Sequence, residues 1–384
     1  MRNPIHALLP LATLLTLSAC GLDPAKVAAH TLLADDGATV EAEDGVQFAV
    51  IGNTTGDATE ALVADLATRT AGSDRLDFVV LMGGQVSAST TRAWKSFNKT
   101  FEGVLAGPGV EGGLPAVPVA GQGEGTGDEI YRGWGAAFPG VGQDIGYNRL
   151  ASWYYFDIKT GDQTWRFLVM DADRARLKSR WSEQLGWLQG AIDGDYDGLI
   201  TLFYDPAYSL AGATVNSSRA AAPAEILDFL DEKIEQTRLK AVFFAGPGAN
   251  QVLAPGGLYG PLFIGAGAGG GTPEDLHRED PNDSGGETLI LESSYDGTMV
   301  ESVNKWSQAG LIEEKVVNEA RGLNEFDGRP RVIKGASVPT TGWWEVKING
   351  TALSVRLHMV QPDGTYAETW QGVTRLGAPW ITVP

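Results

Sequence analysis

The tightest constraint on this chain is a repeated change of hydrophobic period. Short apolar runs at Phe48 to Ile51, Phe78 to Met82, Val117 to Ala120, Phe167 to Met170, Leu199 to Phe203 and Ala241 to Ala245 each break off at a cluster of Gly, Asn or Asp. Runs of this length, apolar at every position, read as strands covered on both faces. Between them Thr59 to Thr70, Trp181 to Ile192 and Ala224 to Thr237 carry apolar residues at helical spacing. Strands alternating with amphipathic helices predict a layered α/β domain, in which functional groups gather on the loops beyond the strand ends.

The C-terminal part changes grammar. Trp344, Val346 and Ile348 alternate with charged residues, Asn349-Gly350 supplies a two-residue turn, and Leu353, Val355, Leu357 and Met359 alternate again. This predicts a hairpin, and Pro362-Asp363-Gly364 adds a turn into a third antiparallel strand, so the domain closes in a meander. Strand alternation places one of Trp343 and Trp344 inward. The stretches 265–288 and 300–338 fit neither pattern and read as surface insertions.

At the N-terminus, Arg2 precedes an apolar run from Ile5 to Leu17 that is too short to span a bilayer comfortably. The run ends in Leu17-Ser18-Ala19-Cys20, which resembles the lipobox of bacterial lipoproteins; residues 1–19 would be a signal peptide and Cys20 the lipidated residue. An ordinary signal peptide followed by a stray cysteine is the alternative, against which stands the placement of the only cysteine in the chain. Gly21 in place of an aspartate points, by resemblance to enterobacterial sorting, to the outer membrane. Residues 20–45 are small and acidic and read as a flexible tether, with the folded domain spanning 46–384.

Composition narrows the function classes. A chain of 384 residues with 43% hydrophobic and 9% aromatic residues can bury a full core. A net charge of −19 argues against a nucleic-acid partner and against electrostatic adhesion to anionic lipid, so contact with the cell envelope membrane rests on the lipid anchor.

The strand-end loops carry a resemblance. Ile51-Gly52-Asn53-Thr54-Thr55-Gly56, Met82-Gly83-Gly84-Gln85, Ala120-Gly121-Gln122-Gly123-Glu124, Phe203-Tyr204-Asp205-Pro206 and Gly246-Pro247-Gly248-Ala249-Asn250 follow one another in the order and spacing of the calcineurin-like metallophosphoesterases, most closely the purple acid phosphatase branch. The Phe97 to Leu105 helix, the Phe167 to Asp171 strand and Gln184-Leu185-Gly186-Trp187-Leu188 resemble that family's connecting pieces. The resemblance implies a four-layer α/β/β/α sandwich of two packed mixed sheets, with a dinuclear metal site where the loops converge. It also implies that the ligands are gone. Asn53 and Gly84 stand where the family has aspartates, the second of them bridging the metals. Gln122 stands for the asparagine ligand, and Tyr204, Pro247 and Ala249 stand where it has histidines.

Histidine usage agrees. After processing, only His30, His277 and His358 would remain, in the tether, in an acidic loop and on the polar face of a strand beside Arg356, where each reads as solvated. If the loops converge, Asn53, Gln85, Gln122, Glu124, Tyr204, Asp205 and Asn250 form a pocket of amides, a phenol and two carboxylates without a cation, unsuited to a phosphate dianion. No cofactor is expected, with calcium the exception: Asp193, Asp195 and Asp197, with Gly198 at position six, have calcium-loop spacing, although position twelve is Tyr204 instead of glutamate. An acidic helix-to-strand turn is the other reading of that segment. The functional expectation is a pseudoenzyme, a membrane-anchored phosphoesterase scaffold that binds an envelope protein or a small polar ligand. The alternatives are a working phosphatase or phosphodiesterase with an atypical metal site, and a purely structural envelope protein.

Overall fold

A computed structural model describes residues 37–42, 45–56, 58–72, 75–106, 113–125, 133–135, 137–138, 143–144, 149–205, 226, 229, 238–246, 248, 250–255, 261–270, 325–326, 329–330, 333–338, 341–360, 366–367 and 381–383. In chain order the strands are β1 (Ala38–Ala42), β2 (Val46–Ile51), β3 (Phe78–Leu81), β4 (Ala116–Pro118), β5 (Gln143–Asp144), β6 (Arg149–Leu150), β7 (Tyr154–Thr160), β8 (Gln163–Val169), β9 (Gly198–Leu202), β10 (Leu239–Phe244), β11 (Asn250–Pro255), β12 (Leu262–Ala266), β13 (Glu325–Phe326), β14 (Arg329–Pro330), β15 (Ile333–Val338), β16 (Gly342–Asn349), β17 (Ala352–Val360), β18 (Tyr366–Ala367) and β19 (Ile381–Val383). The helices are α1 (Thr59–Thr68), α2 (Thr91–Thr100), α3 (Arg174–Leu177) and α4 (Trp181–Ala191).

Two mixed sheets carry the domain. One runs β18-β17-β16-β2-β3-β4, with β19 also on β17; the other runs β1-β7-β8-β9-β10-β12-β11-β15. β2, β3 and β4 are mutually parallel, as are β8, β9, β10 and β12, so their C-terminal ends point the same way within each sheet. The expected six runs are β2, β3, β4, β8, β9 and β10, and the amphipathic stretches starting at Thr59 and Trp181 are α1 and α4. The helix expected from Phe97 to Leu105 instead occupies α2, whose Thr90 side chain accepts from the Ala93 N–H at the N-cap.

Aromatic side chains join the sheets. Phe48 of β2 stacks on Phe78 of β3 at 4.6 Å and meets Phe167 of β8 edge-on at 5.5 Å, while Phe167 stacks on Phe156 of β7 at 4.7 Å. Each fully buried phenyl contributes about 1.5–3 kcal/mol. Two indoles cross the same interface: Trp344 donates to the Gly265 carbonyl at 2.8 Å and Trp165 to the Gly350 carbonyl at 2.9 Å.

The hairpin of β16 and β17 forms as expected, with the turn one residue further on. Asn349 pairs Ala352, leaving Gly350 and Thr351 as the turn, and Gly350 takes φ +57, as the first central residue of a type II′ turn does. Its outer face departs from expectation. Because α1 covers β16 where the reading assumed water, both Trp343 and Trp344 are buried, and so are Glu345 and His358. His358 is therefore not a solvated histidine: its ring stacks on Trp343 at 4.1 Å and its Nε2 donates to Glu345. Glu345 also accepts from Gln47, from Arg69 at 2.7 Å and from Arg356. Burial alone would raise the Glu345 pKa, but hydrogen bonds from His358 and Arg356 hold it at about 2.

Three boundaries also shift. Residues 38–42, assigned to the tether, form β1 and pair in parallel with β7. The 300–338 stretch ends in β15, which pairs with β11 from Ile333 to Val338, so this end of it belongs to the sheet. Residues 265–270, the start of the other expected insertion, are buried, and Gly269 donates to the Gly52 carbonyl at 2.9 Å. The rest of the 265–288 stretch lies outside the described residues, as does most of the expected helix from Ala224 to Thr237.

Glu345 is bonded at once by Arg69, His358 and Arg356. Glu345→Ala removes the carboxylate that these groups share, and urea unfolding is expected to show a loss of about 3–5 kcal/mol.

Candidate functional site

The loops after β2, β3, β4, β9, β10 and β12 meet at one end of the sandwich. Asn53 N–H donates to the Gly83 carbonyl at 2.9 Å, Thr54 N–H to the Gly84 carbonyl at 3.0 Å, and Gly246 N–H to the Tyr204 carbonyl at 2.7 Å. At the centre is Asn53, a non-glycine residue in the left-handed region at φ +53. Its amide is fully engaged: Nδ2 donates to the carbonyls of Ala245 at 2.7 Å and Gly267 at 2.9 Å, and Oδ1 accepts from the Tyr204 hydroxyl at 3.0 Å. The Tyr204 ring lies in a slot between Gly83 and Gly121, where a Cβ on either would come within 2.5 Å of its Cδ2.

Gly84 completes this plug. A Cβ there would approach Asn53 Oδ1 to 2.2 Å, and its φ of +68 disfavours any side chain. The space into which residue 84 would project is thus filled by the Asn53 carboxamide and, behind it, Tyr204. Asn53, Gly84 and Tyr204 fit one another sterically.

Beside the plug sits Glu124, fully buried, which accepts from Gln85 N–H at 2.7 Å and Gly121 N–H at 2.9 Å and so ties two loops together. Burial pushes its pKa from the ordinary 4.5 to about 7, against the pull of the Gln85 N–H and of Arg176. Gln85 is buried too, and among the described residues neither its Oε1 nor its Nε2 has a hydrogen-bond partner. A buried amide of this kind calls for a partner, whether water or a ligand.

The expectation of a pocket without a cation does not hold. Arg176, buried on α3, lies 6.0 Å from the Tyr204 ring; it bonds Asp171 through both Nε and Nη2 and reaches Asp205 at 3.1 Å. Asp205 is pushed up by burial to about 6, with Arg176 pulling the other way. Asp171 in turn receives a hydrogen bond from Ser152, and its main-chain N–H and carbonyl are both bonded by Gln184. The local sequence carried a signal for this: an aspartate directly after a buried strand, with arginine five positions on, at the start of a helix capped by Asp173. Three carboxylates, Asp171, Asp205 and, at 3.6 Å, Asp173, neutralise the guanidinium, so it is not a phosphate receptor.

Of the anticipated residues, Asn53, Gly84, Gln85, Glu124, Tyr204 and Asp205 come together. Gln122 does not: it is exposed at the turn. Asn250 is buried at the start of β11, opposite Ala266. Pro247 and Ala249 lie outside the described residues, as do Cys20, His30 and His277. Among the described residues no group of three His, Cys, Asp or Glu side chains could hold a metal ion, so Asp193, Asp195 and Asp197 form none. Asp197 instead accepts from Thr164 N–H at 2.8 Å and the Asp193 carbonyl accepts from Arg166 at 2.6 Å, bonds that build a helix-to-strand turn.

Solved structures share this architecture. The chain is similar to the purple acid phosphatase PPD1 from yellow lupin (Lupinus luteus) seeds, with a TM-score of 0.55 and 13% identity over 89% of this chain and 54% of that one. It is also similar to PhoD, with a TM-score of 0.51 and 10% identity over 87% of this chain and 69% of that one. The chain has the metallophosphoesterase fold. It spans about half the length of the lupin phosphatase. No protein-family profile and no curated protein sequence matches it.

The residues present do not fit the metals that this fold implies. At the loop centre the Asn53 oxygen is taken by Tyr204, its nitrogen is a donor, Gly84 offers no side chain, and Asp171 and Asp205 are engaged with Arg176.

Two outcomes are expected. Gly84→Ala forces a Cβ against Asn53 at positive φ and should destabilise the fold by about 1–3 kcal/mol in denaturant unfolding. Glu124 binds its proton more tightly folded than unfolded, so its contribution to stability is present below about pH 4.5 and lost as pH rises through about 7. Stability measured from pH 5 to 8 should therefore fall more in the parent protein than in Glu124→Gln.

Proposed function

We propose that this chain is a membrane-anchored pseudoenzyme of the metallophosphoesterase fold, a binding protein held at the bacterial cell envelope through lipid on Cys20. The observation that carries the loss of catalysis is the plug: Asn53 and Tyr204 bond each other in the space facing Gly84, so the loop centre is closed by the protein's own side chains. Phosphate-ester chemistry needs uncompensated positive charge at the reacting group, and Arg176, the buried cation beside the Tyr204 ring, is held by Asp171 and Asp205.

Binding is supported by what the plug leaves over. The unpartnered Gln85 amide offers one donor and one acceptor edge, suited to a neutral polar group on a small ligand or on an envelope protein. Anchoring is supported by the Leu17-Ser18-Ala19-Cys20 sequence at the end of a short apolar run. Outer-membrane placement follows from Gly21 by the same resemblance.

Purified full-length protein is expected to hold only substoichiometric transition metal by elemental analysis, and to show no phosphomonoesterase or phosphodiesterase turnover with Mn, Zn, Fe or Ca. Mass spectrometry should find acyl chains on Cys20, and Cys20→Ala should move the protein from the membrane to the soluble fraction. Stoichiometric metal together with turnover abolished by Asn53→Ala would overturn the pseudoenzyme reading in favour of an atypical phosphoesterase.

A further inference from the structure

We infer that β1 is a detachable strap: it leaves its sheet without unfolding the domain, and its release moves the attachment point of the anchored chain from the loop-bearing end of the sandwich to the opposite end. The second half rests on the anchoring at Cys20 proposed above; the first does not.

The topology fixes both attachment points. β8 runs out into Asp171, whose partner Arg176 reaches Asp205 after β9, so the C-terminal end of β8 lies at the loop-bearing end. β7 is antiparallel to β8, with Tyr154 opposite Val169, and β1 is parallel to β7, with Ala38 opposite Phe156. β1 therefore starts at the loop-bearing end and runs away from it. β2 runs the other way, into the Asn53 loop, and Val46 at its start pairs with Ile348 beside the Gly350 turn. Both sheets share that far end, because Trp165 near the start of β8 bonds the Gly350 carbonyl. Docked β1 thus carries the chain from the far end, where β2 begins, back to the loop-bearing end, where Gly37 N–H donates to the Tyr155 carbonyl at 2.9 Å.

Little holds β1 in place. It is the last strand of its sheet and, among the described residues, pairs with β7 alone. None of its five residues is buried, whereas all six of β2 are. Only Ala38, Val40 and Ala42 touch the core, with small side chains, while Thr39 and Glu41 are exposed. Such a strand sets a small apolar area against the backbone entropy that it regains on release.

Its neighbours are held without it. β7 keeps seven residues paired on β8, and β2 lies between β16 and β3. Gly45 marks where release stops: it has φ +85, and a Cβ there would lie 2.5 Å from the Ile348 carbonyl oxygen, so its backbone is pinned against β16. An edge element with few buried contacts, leaving a body that stays intact, opens at the low end of a protein's range of local stabilities. Freed, residues 38–44 lengthen the link from Cys20 by at most about 23–25 Å, at about 3.3–3.6 Å per residue. The domain then hangs from Val46 at the far end, and the loops at Asn53 and Tyr204 are no longer drawn toward the membrane.

The experiment uses the full acylated chain, first in detergent micelles. Hydrogen–deuterium exchange should run at least about 100-fold faster at the amides of 38–42 than at those of 46–51, and at a rate that low urea barely changes, as local opening does. Ala38→Asp/Val40→Asp, which puts charge on the face that meets the core, should speed exchange at 38–42 further. The melting transition, and exchange at 46–51 and 163–169, should stay those of the parent protein. Exchange of 38–42 only together with 46–51, or loss of folded protein in the variant, overturns the strap. With Cys20 acylated, a fluorophore can then be placed on exposed Ser179→Cys, after β8, or on exposed Asp162→Cys, in the turn between β7 and β8, with an acceptor on the headgroups of lipid vesicles. The variant should raise the ratio of energy transfer at 162 to that at 179. An unchanged ratio overturns the shift of the attachment point. Protein that does not float with the vesicles overturns the Cys20 anchor, while the exchange data still decide whether β1 detaches.

Discussion

Everything in this molecule depends on two β-sheets being stacked face to face and then covered on their outer faces. The phenyl rings of Phe48, Phe78, Phe156 and Phe167 make the inner contact, and helices such as α1 close the outside. A strand buried on both sides has no solvent face on which to put a polar side chain. Polar chemistry is thereby driven either to the strand ends, where the loops gather, or into fully paired interior clusters. The loop site and the Glu345 cluster are those two solutions.

The cluster around Glu345 is the costlier solution. A carboxylate with no solvent exposure is held ionised by Arg69, Arg356 and His358, which come from the end of α1 and from β17, while Gln47 comes from β2. It ties the C-terminal hairpin to the N-terminal strand across nearly 300 residues of sequence, 298 between Gln47 and Glu345. A buried ion pair adds little net stability over an apolar core, but losing one partner is expensive, so such a cluster fixes which strands pair more than how strongly they hold.

At the loops the same geometry that gathers donors in an active phosphoesterase fold here gathers groups that satisfy one another. Asn53, Gly84 and Tyr204 interlock, Glu124 fastens two backbone turns, and Arg176 is shared by Asp171 and Asp205. Among the described residues the loop end is a hydrogen-bonded structure in which the Gln85 amide is left unsatisfied.

Much of this was legible in the chain because it is local. Apolar runs of four or five residues mark buried strands wherever they occur, so β2, β3, β4, β8, β9 and β10, α1, α4 and the C-terminal hairpin could be read from spacing alone. The loop sequences named Asn53, Gly84, Glu124 and Tyr204 through their resemblance to a metal site that the side chains present cannot build. What only the tertiary structure decided are pairings between distant segments. Arg176 becomes a site residue because α3 folds back against the end of β9, and Glu345 and His358 are buried because α1, some 280 residues away, lies over their strand: its Asp65 bonds Trp343 at a separation of 278. Periodicity reports which face of an element is apolar; it carries no information on whether a second layer will cover the other face. That is why the polar side of β16 and β17 read as solvent-facing and proved to be core.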